Sequence, residues 1–591
     1  MNVRVWLMLG LIYAVFVVFG VRLWQLQVVQ YQQFATRSQG NYLRTESTLA
    51  PRGRILDRNG VVLASNRLAV DLVYRGGDVL FKERILAVTG LRAFPEVGRE
   101  PVKLMENVPE QLVPTLGELT AGEPNLRLVE RVERVYPNPI SGPVIGYTGL
   151  PSQEQVVGQD YEPEELIGAS GLEAALENQL RGRKGLQLVE VNARGQRIRI
   201  DEQRPPVAGP DVRLTIDLKL QRAAEQALKE GLADVNRLRV KNRQPLETVA
   251  RGAIVALDPR TGEVLAMATN PGFDPNLFGR RPRPSEQLAA LFRDKNRPTL
   301  NRAISAFPPG STYKLSSSSM FLEQGYVTTG TAYRCSSAIP FGGRLFRNWF
   351  RGDMGMFTVE EAIAQSCNTW YYQVAKTDPF GIPDKLHSRS LQLGLGRATG
   401  LEISESEGLI PTIAWKRQAV RRDPKWYAGE TLSLVIGQGY NLTTPAQIAR
   451  MLTTIANGGR QPSLHLVRQI GVLEVNHSIT QVSGRHWAEL QQGMRRTVNW
   501  GTSRHVLGPD KFPVPTAGKT GTAQNEGGFG REHSWYMGYG PVNDAGQFVG
   551  GRPPLVVVAF FENGTEGSGV ALPATRKVMA AYWGVEPPQS P

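Results

Sequence analysis

Three short stretches of the chain carry residue types that can do covalent chemistry. In Phe307-Pro308-Pro309-Gly310-Ser311-Thr312-Tyr313-Lys314 a Pro-Pro-Gly turn runs into helix-compatible sequence, which places Ser311 at a helix N-terminus. Unpaired backbone N–H groups and the helix dipole favour developing negative charge there. Lys314 follows on the same helical face, within reach of the hydroxyl. A serine is a poor nucleophile without a base, and a lysine can serve as one when burial and other cations lower its pKa. The plainer reading of Ser311 alone is an N-cap. Further on, Ser366 and Asn368 flank Cys367 in a stretch that reads as helical from Val359 to Ala375. They can offer a hydroxyl and an amide to one cleft only if the backbone leaves the regular helix between them. The third stretch is Ala517-Gly518-Lys519-Thr520-Gly521-Thr522-Ala523-Gln524. A nucleotide-binding P-loop would need glycine at 513, where Pro513 stands. As a strand edge the stretch makes sense: Gly518 and Gly521 let a substrate backbone approach, Lys519 supplies positive field, and Thr520 and Thr522 point to one side.

These groups need a scaffold, and several elements can be read for one. Val212 opens a unit in which Leu214-Thr215-Ile216-Asp217 reads as a strand and Leu220 to Leu232 as a helix. Ala253 to Leu257 and Val264 to Ala268 form a hairpin about Asp258-Pro259-Arg260-Thr261-Gly262, Leu555 to Phe561 is a buried central strand, and Ala574 to Trp583 a closing helix. Strands at both ends with helical sequence between them imply a sheet built from distant parts of the chain, in an α/β or α+β sandwich. Before it, Pro51-Arg52-Gly53-Arg54-Ile55-Leu56-Asp57-Arg58-Asn59-Gly60-Val61-Val62-Leu63-Ala64 reads as a hairpin about Asn-Gly, leading into an α+β module rich in Glu, Arg and Pro. The Pro/Gly-rich break from Asp201 to Asp211 separates the two. Arg280-Arg281-Pro282-Arg283-Pro284 reads as a solvated basic loop.

At the other end, Val5 to Val21 is an uncharged apolar run just long enough to cross a bilayer, with Trp6 and Trp24 at its ends and Arg4 favouring an N-in orientation. No small-x-small cleavage signal follows, so it reads as an uncleaved anchor, continued by a juxtamembrane helix over Gln25 to Tyr42 that Pro51 ends. The 591 residues are 41% hydrophobic and 21% charged, which excludes a disordered chain, and two cysteines exclude a disulfide-stapled scaffold. The net charge of +14 admits nucleic acid, anionic lipid or another acidic polymer as partner. An anchor moves most of the chain outside the cytoplasm, which counts against nucleic acid as that partner and against ATP as a substrate.

In order, Ser-x-x-Lys, Ser-x-Asn and Lys-Thr-Gly form the serine acyl-transferase set of penicillin-interacting enzymes. LNRAISAFPPGSTYK, GQGYNLTTPAQIARML and AGKTGTAQ…HSWYMGY resemble the transpeptidase domain of class B penicillin-binding proteins, and PRGRILDRNGVVLA with the stretch from Pro163 to Glu173 resembles that family's pedestal. The resemblance covers nearly the whole chain and is to the elongation-type member rather than the division-type one. It implies an anchor over 1–27, a pedestal (dimerisation-like) domain over 28–210, and a transpeptidase domain over 211–591 with a central antiparallel sheet flanked by helices.

For the site, the resemblance implies Ser311 as nucleophile on a D-Ala-D-Ala stem peptide, Lys314 as its base and Ser366 as proton relay. Asn368, Lys519, Thr520 and Thr522 would bind substrate, and the backbone N–H groups of Ser311 and Thr522 would form the oxyanion hole. A side-chain amine of a second stem would then deacylate the enzyme, and a β-lactam would acylate the same serine and stay. No cofactor is implied. Some relatives carry zinc beside the site, but no histidine lies between Ser311 and His387, and Cys335, Asp353 and Cys367 are a poor ligand set, so no metal is expected. Cys335 and Cys367 could pair or remain two buried thiols. The pedestal has no glycosyltransferase motif, so polymerisation falls to a partner, a SEDS-type rod-shape glycosyltransferase contacted through anchor and pedestal, with other elongation-machinery proteins beside it. The expected location is the inner membrane, single-pass, with the bulk of the chain on the periplasmic side. The competing readings are a division-type transpeptidase, a β-lactam sensor or resistance protein, and a scaffold with an idle site.

Overall fold

The computed structural model describes residues 3–30, 43–98, 101–123, 125–158, 161–163, 165–191, 197–524 and 531–585. The juxtamembrane helix expected over 25–42 falls largely outside them, as does Glu164. Within the described part, Gln25–Val29 forms a single π-helical turn.

The chain divides into two compact units, Met1–Gly53 with Arg181–Gly209, and Arg54–Leu180 with Pro210–Pro591. In the first, α1 (Val3–Trp24) carries the apolar run. It is the described helix long and apolar enough to cross a membrane, by length and composition. The same unit holds a three-stranded antiparallel sheet of Leu43–Thr48, Gly185–Val191 and Arg197–Arg204, with Gly185–Val191 in the middle.

In the second unit, the Asn-Gly hairpin forms as its turn chemistry requires. Asp57 Oδ1 accepts from the N–H groups of Asn59 and Val61, both at 2.8 Å, and Gly60 sits at φ +89°. Its strands Ile55–Leu56 and Val62–Tyr74 belong to a sheet that also takes in Val102–Met105, Leu126–Val135, Val212–Leu214, Val467–Ile470 and Leu473–Glu474. Residues on both sides of the Pro/Gly-rich break therefore share one sheet, with Val212–Leu214 pairing parallel to Ile55–Leu56.

The rest of the unit is built on a five-stranded sheet. α2 (Leu218–Lys241), capped by Asp217, precedes β1 (Gly252–Leu257) and β2 (Val264–Asn270). A helical segment follows, with α3 (Lys314–Glu323), α4 (Val359–Ala364), α5 (Asn368–Ala375), α6 (Pro445–Ala456) and α7 (Trp487–Asn499). The chain then returns to the sheet as β3 (Ala517–Ala523), β4 (His533–Gly540) and β5 (Leu555–Phe561), and closes with α8 (Ala571–Trp583). The order is β2-β1-β5-β4-β3, antiparallel throughout, so β5 is the middle strand and β3 an edge. An apolar run without alternation is what a strand buried on both faces needs. Val556, Val558 and Phe560 join the core shared with Ile448, Met451 and Leu452 of α6, while Leu555, Val557, Ala559 and Phe561 join the core of α2 and α8.

Candidate active site

Ser311 lies in a 3₁₀ turn, Gly310–Tyr313, that runs directly into α3. The turn is pressed against edge strand β3 more closely than a side chain at 310 would permit. A Cβ on Gly310 would stand 2.4 Å from Thr522 O, and one on Gly437 would stand 2.2 Å from Gly310 O. Both glycines have positive φ, so the turn is locked by backbone contact on two sides. Thr522 O also accepts from Gln438 Nε2 at 3.4 Å, which shows that this carbonyl points out from the free edge of the sheet. In an antiparallel strand the N–H of a residue points the same way as its C=O, so the Thr522 N–H faces the Ser311 turn as well.

Lys314 begins α3 with its side chain wholly withdrawn from solvent. Its Nζ donates to Ser366 O at 2.7 Å and Asn368 Oδ1 at 2.6 Å, and stands 3.2 Å from Ser366 Oγ. The Tyr371 ring lies 5.3 Å away. No carboxylate pairs with Lys314 among the described residues. Burial holds its pKa well below the ordinary lysine value, and the charge of nearby Lys519 adds to the effect. A neutral amine has two N–H donors and one lone pair. Three neutral oxygens, Ser366 O, Asn368 Oδ1 and Ser366 Oγ, lie within hydrogen-bond distance of Nζ, and no carboxylate among the described residues favours the ammonium there. Ser311 Oγ has no hydrogen-bond partner among the described residues and is free to take up a substrate.

The helix expected from Val359 to Ala375 is interrupted where the chemistry needs it. Ser366 adopts φ +54°, between α4 and α5, and this left-handed step turns both Ser366 and Asn368 onto Lys314. Cys367, between them, is joined to Cys335 by a disulfide.

On β3, Lys519 is buried with its pKa pushed down to about 7, and its Nζ donates to Thr520 O at 3.0 Å. Thr520 Oγ1 pairs with Thr502 Oγ1 at 2.7 Å. Thr522 Oγ1 accepts from the Gly567 N–H at 3.2 Å. The glycines of this strand do not open space for a substrate. A Cβ on Gly518 would meet the Tyr536 hydroxyl at 2.2 Å, and one on Gly521 would meet Thr312 Cγ2 at 2.8 Å and Trp535 Cβ at 2.9 Å. They make room for the protein's own packing, which corrects the expectation drawn from the sequence.

Ser311, Ser366, Asn368, Thr520 and Thr522 line one open cleft of about 920 Å³, with Lys314 and Lys519 buried beneath it. Gln438, Thr502 and Asn348 also line it and were not singled out in the sequence. Gln438 had a signal in the Gly-Gln-Gly turn, where Gly437 and Gly439 both take positive φ. Thr502 and Asn348 are polar loop residues without a pattern. Of the metal set weighed above, Cys335 and Cys367 are bonded to each other and Asp353 pairs with Arg334.

The chain has counterparts among known proteins. Residues 252–580 match the penicillin-binding protein transpeptidase domain and residues 47–214 the penicillin-binding protein dimerisation domain. The peptidoglycan D,D-transpeptidase MrdA of Haemophilus influenzae is 31% identical over 96% of this chain and 89% of its own. Among solved structures, a chain from a study of polymerisation and crosslinking by a peptidoglycan synthase complex is 57% identical, with a TM-score of 0.82 and full coverage of both chains. Pseudomonas aeruginosa PBP2 is 29% identical, with a TM-score of 0.65 over 91% of this chain and 96% of that one. The transpeptidase model alone spans more than half of the 591 residues. The chain therefore belongs to the penicillin-binding protein transpeptidases, as an elongation-type peptidoglycan D,D-transpeptidase.

Proposed function

We propose that Ser311 is the nucleophile of this transpeptidase and that neutral Lys314 is its base. The observation that carries the assignment is a fully buried lysine that no carboxylate pairs among the described residues, its Nζ held by the neutral oxygens Ser366 O, Ser366 Oγ and Asn368 Oδ1. Ser311 Oγ attacks the carbonyl of the penultimate D-Ala while its proton passes to Lys314 Nζ. The peptide bond then breaks, D-Ala leaves with a proton relayed through the Ser366 hydroxyl, and an acyl-enzyme remains. The backbone N–H groups of Ser311 and Thr522 hold the oxyanion. Asn368 hydrogen-bonds the stem peptide, and Lys519, Thr520 and Thr522 hold its terminal carboxylate. A side-chain amine of a second stem attacks the acyl carbon, which forms the crosslink and frees Ser311.

In this reading the chain comprises an anchor over 1–27, a pedestal over 28–210 and a transpeptidase domain over 211–591. It crosses the inner membrane once, through α1, with its bulk on the periplasmic side. Crosslinking alone does not make glycan, so it works beside a polymerising partner. A SEDS-type rod-shape glycosyltransferase, contacted through anchor and pedestal, fits that need, and the 57% identity to a chain of a peptidoglycan synthase complex supports it. The test of the site is acylation with a labelled penicillin followed by peptide mass spectrometry. The adduct is expected on Ser311, and an adduct of equal yield on a Ser311→Ala protein would overturn the assignment.

A further inference from the structure

Cys367 is the middle residue of the Ser-x-Asn stretch, and its partner Cys335 lies 32 residues earlier with both sulfurs buried. The segment that carries Cys335 grips the Ser-x-Asn stretch at several further points. Asn348 Nδ2 donates to Cys335 Sγ at 3.4 Å, and Asn348 Oδ1 accepts the Asn368 N–H at 3.0 Å. Asn348 is itself held through its N–H to Ser337 O at 2.8 Å. Thr369 Oγ1 donates to Ser336 O at 2.9 Å. Cys335 is fixed in turn, its N–H donating to Gly355 O at 2.7 Å and its carbonyl accepting the Met354 N–H at 2.9 Å.

What this grip holds in place is a conformation that a serine does not choose. Ser366 at φ +54° ends α4 within a sequence whose periodicity favours one helix from Val359 to Ala375; it takes the C′ position of a Schellman end, its N–H on Ile363 O at 3.2 Å and the Cys367 N–H on Ala362 O at 3.1 Å, where glycine is the usual residue. If Ser366 relaxed into the right-handed region, α4 would run on toward α5. The Ser366 carbonyl and the Asn368 amide, which make the two shortest contacts to Lys314 Nζ, would then leave it. We propose that the Cys335–Cys367 disulfide and Asn348 form a positioning clamp for the transpeptidase reaction: they keep Ser366 left-handed and so hold Ser366 and Asn368 on Lys314. The proposal rests on the reading of Ser311 as nucleophile and Lys314 as base. Cys335 and Cys367 act through other residues, and Asn348, which lines the cleft, acts in the clamp through the Asn368 N–H that it accepts.

The clamp predicts a change in the protonation of Lys314 as well as in stability, because a displaced Ser366 lets water reach the amine. The charged and titratable groups about Lys314 are Lys519 on β3, Tyr371 on α5 and, along the cleft walls, Tyr372, Lys241, Arg347, His505, Glu532 and Glu566. None of them is altered in the variants below, so a moved pH limb reports on the clamp.

The experiment measures the second-order rate of acylation by a fluorescent penicillin between pH 5 and 10, together with thermal unfolding, on the full chain in detergent. It compares wild type, Cys335→Ser/Cys367→Ser and Asn348→Ala. Both variants are expected to acylate about ten- to a hundredfold more slowly at neutral pH, since small misplacements of catalytic groups cost that much. Their acid limb should move to higher pH, with part of the rate recovered there. A wild-type rate and an unmoved limb would overturn the clamp, even if melting fell, and leave the disulfide a plain staple. Should the double variant fail to fold, Asn348→Ala, which retains the disulfide, decides by the same two readouts. Wild-type protein without a Ser311 adduct would instead overturn the reading of the nucleophile, and the clamp with it.

Discussion

The side chains of Lys314 and Lys416 are both closed to solvent, Lys314 deep in the core and Lys416 just beneath the surface, and their pKa values move in opposite directions. Lys416 sits on the short helix Ile413–Ala419, and its Nζ donates to Glu430 Oε1 at 2.7 Å and to Lys425 O at 2.6 Å, with Asp423 at 3.6 Å. Burial pulls its pKa down, but the hydrogen bond and charge of Glu430 outweigh this, and the net shift is upward. Lys314 meets only neutral acceptors, so burial and the repulsion of Lys519 act unopposed and the shift is downward. Withdrawal from water does not by itself make a lysine a base. Deep burial in a neutral shell, with no carboxylate to offset it, is what lowers the pKa of Lys314.

The largest break in this comparison is Lys314→Met, which keeps the apolar stem and removes the amine. Loss of a general base costs about 10²–10⁴-fold, so penicillin acylation, followed by fluorescence on a gel, should fall by that range. A rate within about threefold of wild type would mean that Lys314 is only packed, as Lys416 is.

Asn368→Asp goes further and gives Lys314 the partner that Lys416 has. The new carboxylate would lie where Oδ1 now accepts at 2.6 Å. An opposite charge at that range favours the ammonium and raises a lysine pKa by about one to three units. The protonated amine cannot take the serine proton, so acylation at pH 7 should drop roughly ten- to a thousandfold. The drop should shrink as pH rises through the new pKa. A loss that stays constant with pH would assign Asn368 to substrate contact alone.

How far this site could be read from sequence follows from the same contrast between local and distant causes. Leu555–Phe561 was legible because a strand buried on both faces needs an unbroken apolar run. The Asn59-Gly60 hairpin was legible because its turn chemistry is local. The three stretches that could do chemistry were visible as stretches, and the fold gathers them at one cleft. The left-handed Ser366 was not visible, since Val359 to Ala375 has helical periodicity and a serine does not announce the Schellman end that the Ser366 and Cys367 N–H groups make with Ile363 O and Ala362 O. Nor was the true use of Gly518 and Gly521, because the side chains they admit, Tyr536, Thr312 and Trp535, come from elsewhere in the chain. The sheet shared by Ile55–Leu56 and Val212–Leu214 escaped because strands so short carry no period.

A smaller effect concerns stability rather than rate. Lys519, with its pKa near 7 in the fold and at the ordinary lysine value when unfolded, binds more protons unfolded between those limits. Folding stability must therefore rise with pH from about 7 upward, by at most about 1.4 kcal/mol per unit from this group. Lys519→Met removes the group and should flatten the slope of denaturant-measured stability between pH 7 and 9. It also removes the repulsion on Lys314, so the acid limb of any remaining acylation should move upward. An unchanged slope would place Lys519 with the paired lysines.

The smallest effect is the control at the other lysine. Lys416 has a folded pKa above its unfolded one, so its contribution is present in full below the unfolded value and is lost only as pH rises through the folded one. Between pH 6 and 9 it stays protonated in both states and adds no slope. Lys416→Met should therefore lower stability by a constant amount across that window, on the order of 1 kcal/mol, because Glu430 remains partly open to solvent and can be rehydrated. Penicillin acylation should stay within about twofold of wild type. If Lys416→Met instead produced a pH-dependent loss, or slowed acylation as Lys314→Met does, the carboxylate would not be what separates the two lysines.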